Sequence, residues 1–239
     1  MGPKILFEDD SLIVLEKPAG MVVNRAESVK GKTLQDWVEE ILEIGNWKLE
    51  IPSSDFIRRS GIVHRLDKET SGLLLVAKNP EVLTNLQKQF KERRVEKRYL
   101  ALVHGQVEPG QGVIEASISR SPFDRKKFGV FLGGRAARTE YWAKDSYHHD
   151  SEKYTLVELL PTTGRTHQLR VHLKYINHPV VADEKYAGRK TARADRQWCP
   201  RQFLHASFLA FTHPQTGEKV EFTSELPVEL KKALKTLHI

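Results

Sequence analysis

The sequence predicts an α+β fold, a mixed and largely antiparallel β-sheet flanked by helices. Three observations predict it. Short apolar runs of strand character are interspersed with segments of helical period, hairpin-spaced turn residues separate several of the runs, and the strict βαβ alternation of a doubly wound fold is missing. The 239 residues suit a single domain, and the break from Gly105 to Gly112 is the place for a subdomain seam.

Taken in order, "ILFEDDSLIVLEKPAG" reads as two strands about a turn at Asp9 to Ser11, closed by a Pro-Gly break at Pro18 to Gly20. Leu34, Trp37, Val38, Ile41 and Leu42 recur at helical spacing, and Thr33 with Asp36 forms a capping-box start. Gly45 to Ser60 is polar and irregular and reads as a loop. In "IVHRLDKETSGLLLVAK", residues 62–78, "KETSG" is a turn and "LLLVAK" a fully buried strand. Asn79 and Pro80 cap a second helix that carries Val82, Leu83, Leu86 and Phe90 on one side and stops near Val95.

"KRYLALVHG", "TEYWAKD" and "YTLVELLP" follow as strands, the last two separated by the polar "SYHHDSEK". Thr166 opens a third helix with Leu169, His172, Leu173 and Ile176 on one face and Asn177 near its end. "FLHASFLAFTHPQTGEKVEFTS" reads as a hairpin turning at Pro214 to Gly217, and Pro227 starts a terminal helix.

Composition excludes several function classes. No stretch approaches the ~20 apolar residues of a membrane span, and "MGPKILFEDD" lacks the apolar segment of a secretory signal. The lone cysteine, Cys199, rules out an internal disulfide and a Cys-rich zinc site and fits a reducing, cytoplasmic setting. The formal charge is +7, and the basic residues cluster in "KQFKERRVEKRY", "RKKF", "GGRAAR" and "RKTARADR". Several separated clusters suit a long polyanion such as a nucleic acid better than a small acidic metabolite.

Some short patterns fail on spacing. "VKGKT" has Ala26 where a phosphate-binding P-loop needs glycine, and no strand leads into it. His167 and His172 are five residues apart, the wrong interval for a zinc pair on one helical face, and His148, His149 and Asp150 read as a solvated loop cluster. His64, Asp67 and Ser71 are close in sequence, but no G-x-S-x-G elbow supports a hydrolase triad. By itself "HRLDKETSG" is a turn in which Asp67 or Thr70 caps backbone N–H groups and Arg65 neutralises the acid.

"KPAG", "HRLDKETSGLLL", "EKRYLALVHG" and "TTGRTHQLRVHL", in this order, with "HPVVADEKYAG" and "FLHASFLAFTHPQTGE" after them, resemble the motif set of the RluA family of pseudouridine synthases. The resemblance runs from about Leu6 to about Phe222. It implies the pseudouridine synthase fold: a catalytic domain with a central RNA-binding cleft, here without the N-terminal RNA-binding module that many members carry. It also implies Asp67 as catalytic residue, Arg170 of "HQLR" as its ionic partner and Tyr99 of "KRYLALV" against the target uracil. Arg65 would contact the RNA around the extruded nucleotide. Lys17 and Pro18 would shape the floor of the cleft, Leu169 would add an apolar wall, and Thr70 would join the substrate-binding set.

The implied reaction breaks the C1′–N1 bond of uridine and makes a C1′–C5 bond, with nothing oxidised, so no cofactor is expected. One carboxylate can either attack C1′ or take a neighbouring ribose proton. The expected partner is a ribosomal or transfer RNA stem-loop, recognised without metal or membrane by a monomer acting on a flipped-out base.

Overall fold

The computed structural model describes residues 2–27, 29–42 and 55–238. In chain order its elements are β1 (Lys4–Glu8), β2 (Leu12–Lys17), α1 (Leu34–Ile41), α2 (Asp55–Arg59), β3 (Ser71–Ala77), α3 (Pro80–Lys91), β4 (Glu96–His104), β5 (Gln111–Glu115) and β6 (Ile118–Arg120). They continue with β7 (Phe128–Val130), β8 (Arg138–His149), β9 (Glu152–Pro161), α4 (Gln168–Tyr175), α5 (Arg189–Asp195), β10 (Leu204–Thr212), β11 (Lys219–Thr223) and α6 (Val228–Lys235). The fold is α+β with antiparallel strand pairing throughout the registers described. Two compact units divide the chain, Met1–Glu96 with Phe208–Ser224 and Lys97–Ser207 with Glu225–Ile239, and the 105–112 break lies inside the second.

In the first unit the strands follow the order β1-β2-β3-β10, and β11 pairs with β10. Asp9 closes the β1–β2 hairpin, its Oδ1 accepting from the N–H groups of Ser11 at 2.7 Å and Leu12 at 2.9 Å. β2 and β3 pair from Leu12 opposite Ala77 to Lys17 opposite Gly72, and every residue of β3 is buried. A strand buried on both faces has no polar alternation, which is why "SGLLLVA" is a continuous apolar run. Asn79 caps α3 by accepting from Val82 N–H at 2.9 Å, and Val82, Leu83 and Leu86 of that helix share a core with Leu12, Val14, Leu73, Leu75, Leu209 and Phe211. Thr33 and Asp36 form the capping box expected at the start of α1.

The approach to Asp67 is set by the chain before it. Gly61 O accepts from Ala77 N–H at 2.8 Å and Val63 N–H donates to Leu75 O at 3.1 Å, so residues 61–63 lie along β3. Gly61 has φ +73°, and a Cβ there would stand 2.1 Å from the Ala77 carbonyl oxygen. Both the backbone conformation and the close approach require glycine.

In the second unit β10 is followed by β4, β9, β8 and β5, and β6 with β7 makes a separate two-stranded sheet. Ala101, Val103, Val157 and Leu159 from the strands form its core with Leu169 and Leu173 of α4, Phe203, and Leu230 and Ala233 of α6.

Several expectations need correction. Asp55–Arg59 is a short helix rather than loop, closed on itself by Asp55 with Arg58 and Arg59; residues 45–54 lie outside the described set. "SYHHDSEK" is largely strand: His149 faces Glu152 across a two-residue turn, with Asp150 at φ +52°. This hairpin end is mostly exposed, so its ladder holds without the apolar alternation that marks a half-buried strand. Helix α4 starts at Gln168, two residues after Thr166, with His167 as a left-handed N-cap. The short β5, β6, β7 and α5 were also missed, each too brief or too polar to establish a period.

Gly61→Ala is expected to destabilise the protein by about 2 kcal/mol or more, since it combines a strained φ with a backbone clash. Urea unfolding of the variant beside the parent measures this, and an unchanged midpoint would show that the 61–77 approach does not constrain the chain.

Candidate active site

Asp67 opens a β-turn. Its carbonyl accepts from Thr70 N–H at 3.1 Å, and the chain passes through Thr70, which is buried, directly into β3. Asp67 itself is half-buried, whereas Arg65 and Lys68 are exposed. The "HRLDKETSG" run therefore places one acid between solvent and core, with a charged residue on either side facing outward.

What holds this turn is Lys17. Its side chain is 1% exposed, and Nζ donates to the carbonyls of Pro18 at 2.7 Å, Met21 at 2.9 Å and Lys68 at 3.1 Å. An ammonium has three protons to donate, and these three carbonyls match that number. Gly20 N–H donates to the same Lys68 carbonyl at 2.9 Å. The "KPAG" break and the residue after Asp67 are thus bound together within the first unit. Lys17, Pro18, Asp67 and Thr70, expected together from sequence, are brought into one loop cluster.

The hydrolase alternative is disfavoured by geometry. His64 Nε2 accepts from Leu75 N–H at 3.2 Å, and its ring stacks on Phe90 with centroids 4.8 Å apart. Its lone pair is already directed at a backbone amide, and Ser71 is buried in the strand.

The second unit positions the other expected residues. Arg170, on the first turn of α4, is 7% exposed, so it is not a solvent-facing cation on that helix. Its Nε and Nη2 meet Asp183 Oδ2 and Oδ1 at 2.7 and 2.9 Å, and its guanidinium lies over the Tyr186 ring, 4.8 Å from the centroid. Leu169 is buried in the second core, and half-buried Tyr99 packs against it from β4 opposite Leu159.

Two further residues of "TTGRTHQLRVHL" lock α4 in place. Gln168 accepts from Thr163 Oγ1 at 2.7 Å and Arg165 N–H at 3.0 Å, while its Nε2 donates to Arg138 O and Thr139 Oγ1, both at 3.0 Å. His172 is fully buried between Thr139 Oγ1 at 3.0 Å and Ala116 O at 3.1 Å, and burial pushes its pKa below the usual histidine value. It is a neutral structural group, and no cluster of three or more potential metal ligands occurs among the described residues.

Sequence reasoning missed Asp183, Tyr186 and Lys97. Asp183 and Tyr186 lie in "ADEKYAG", noted for its resemblance but given no role. Lys97 is two residues before Tyr99 on β4, hence on the same strand face, and burial lowers its pKa to about 8.

Residues 11–175 match the family model described as RNA pseudouridylate synthase. The chain belongs to this family. It is 38% identical over 237 residues to "Uncharacterized RNA pseudouridine synthase YlyB" of Bacillus subtilis, covering 99% of this chain and 73% of the relative. It is 41% identical over 239 residues to "Ribosomal large subunit pseudouridine synthase D" of Nitrosomonas europaea, covering 98% of this chain and 65% of that relative. Among solved structures, human RNA Pseudouridylate Synthase Domain Containing 1 is 29% identical with a TM-score of 0.71, over 94% of this chain and 84% of that one. The enzyme is an isomerase, an RNA pseudouridine synthase. No helix among the described residues is long and apolar enough to cross a membrane.

Lys17→Met keeps the length of the synthase's buried side chain while leaving the three carbonyls without their shared donor. The expected loss is about 3 kcal/mol of stability, together with lowered activity because the Asp67 turn loses its tie. Denaturant unfolding and initial rates on the same preparation test both, and a variant as stable and active as the parent contradicts the role given to Lys17.

Proposed function

We propose that this synthase isomerises uridines of structured ribosomal or transfer RNA, with Asp67 as the reacting carboxylate. The observation that carries the reading is the half-buried Asp67 turn, tied through Lys68 O to both Lys17 and Gly20. A ribosomal substrate is supported by the names of relatives such as the Nitrosomonas europaea protein.

In the reaction the C1′–N1 bond breaks, the uracil turns while bound, and C5 bonds to C1′. C5 then loses its proton and N1 gains one, so atoms and electrons balance without a redox partner. Asp67 either attacks the electron-deficient C1′ or removes a ribose proton, and both roles need it ionised. In this reading Arg170, which the family resemblance implies as the ionic partner of Asp67, supplies positive charge to the reaction. Tyr99 offers a ring for the uracil to stack on and a hydroxyl for proton transfer at C5. Arg65, exposed beside the turn, is free of the core and suited to contacting RNA around a flipped nucleotide. Pro18 faces the substrate in this reading, while the buried Leu169 and Thr70 shape the site from behind as apolar wall and turn.

Exposed cations suit the phosphate backbone. They include Lys91, Arg93 and Arg94 in the first unit and Arg125, Lys126, Lys127, Arg189 and Arg193 in the second.

Asp67→Asn is expected to lower pseudouridine formation by at least ~10⁴, about 5.5 kcal/mol of transition-state stabilisation, with RNA binding largely kept. Release of tritium from C5-labelled uridine in transcribed ribosomal and transfer RNA measures it. Near-normal release would refute the assignment, and a total loss in Ser71→Ala instead would favour hydrolase chemistry.

RNA affinity is expected to fall steeply with salt, log Kd rising against log salt with a slope of roughly 0.7–0.9 per phosphate contacted. Filter binding between low and moderate salt gives the slope; a flat line would remove the exposed cations from recognition.

A further inference from the structure

A buried arginine is long and rotatable, and taking part in a reaction requires that its charge be held at one place. Asp183 provides a carboxylate that grips Nε and Nη2 in the bidentate, planar arrangement that fixes a guanidinium's orientation as well as its position. That carboxylate is itself held: Oδ1 also accepts from the N–H groups of Lys185 at 3.0 Å and Tyr186 at 3.2 Å. The loop carrying it is anchored by Ala182 N–H, which donates to Asp195 Oδ2 at 2.8 Å.

One flat face of the guanidinium is covered by the Tyr186 ring. That ring is fixed in turn, for Tyr186 Oη lies 2.7 Å from His167 Nδ1 and accepts from Phe128 N–H at 3.2 Å. His167 is the left-handed N-cap of α4, the helix that bears Arg170 three residues later. The chain of contacts therefore closes on itself: helix start, tyrosine, guanidinium, carboxylate and the loop holding both aromatic and acid. A purely structural ion pair between buried partners gains little net stability after desolvation, so stability alone is a poor reason for such a construction.

We infer that Asp183 and Tyr186 are positioning residues for the reaction, holding the Arg170 guanidinium in the one orientation in which its charge serves the isomerisation. This deepens the proposed function and rests on its assignment of Arg170. A misplacement of about 1 Å in a reacting group can cost on the order of 10²-fold in rate, so loosening either support should be visible kinetically.

The test uses single-turnover tritium release on the transcript that the parent enzyme modifies, with filter binding and near-ultraviolet circular dichroism on the same preparations. Asp183→Asn is expected to slow the chemical step by on the order of 10²-fold, with Kd for RNA changed by less than about 3-fold. Asp183→Glu should recover part of the rate. In an Arg170→Lys background the Asp183→Asn change should cost less than about 3-fold more, since the two act as one unit.

Full activity in Arg170→Lys would overturn the role of Arg170 and this inference with it. An inactive Arg170→Lys beside a folded Asp183→Asn with parental single-turnover rate would overturn the inference alone. If Asp183→Asn does not fold, Tyr186→Leu decides the matter. It leaves both charges and removes the ring and hydroxyl, and an unchanged single-turnover rate there would also overturn the inference.

Discussion

The local architecture around Asp67 depends on one buried ammonium group. Lys17 is the last residue of a buried strand, and its Nζ gathers carbonyls from the loop that follows it and from the residue after Asp67. Burying a cation is tolerable when every proton finds an acceptor, and the arrangement of three carbonyls provides this. The consequence is mechanical. Two loops that would otherwise move independently share a hydrogen-bonded knot, and the turn carrying the acid is fixed relative to the paired strands β2 and β3 below it.

The second unit solves a related problem with opposite charges. Arg170 is withdrawn from solvent on α4 and met by Asp183 and Tyr186, while Gln168 and His172 bind the same helix to the strand residue Thr139. Gln168, Arg170 and His172, polar residues that look extravagant for a buried helix, are each hydrogen-bonded. The helix is thus specified by polar satisfaction as well as by the apolar contacts of Leu169 and Leu173. Both units use buried polar groups to hold loop and helix ends.

Much of the fold was legible because its elements obey strong local rules. Thr33 with Asp36, Asn79 before Pro80, and the Pro214–Gly217 turn each mark an element end by satisfying backbone groups nearby in sequence. The misses share a cause. Residues 138–149 and 152–161 form long strands whose outer ends lack apolar alternation, and Asp55–Arg59 is a single turn held by its own ion pairs. At the site, motif resemblance singled out Lys17, Asp67 and Arg170. It assigned Lys17 a general place, without the three carbonyls that explain why a lysine is there.

The residue order alone determined the α+β class, most element positions, the excess of positive charge and the family-bearing motifs, because propensity, period and capping act over a few neighbours. Tertiary structure decided that Lys17 points inward, that Arg170 is buried, and that Asp183, thirteen residues further on, grips it. A side chain's burial and partner depend on what distant segments bring to it, and no local pattern of charges records that. The same letters in "ADEKYAG" would suit a solvated loop; packing makes them the support of an arginine.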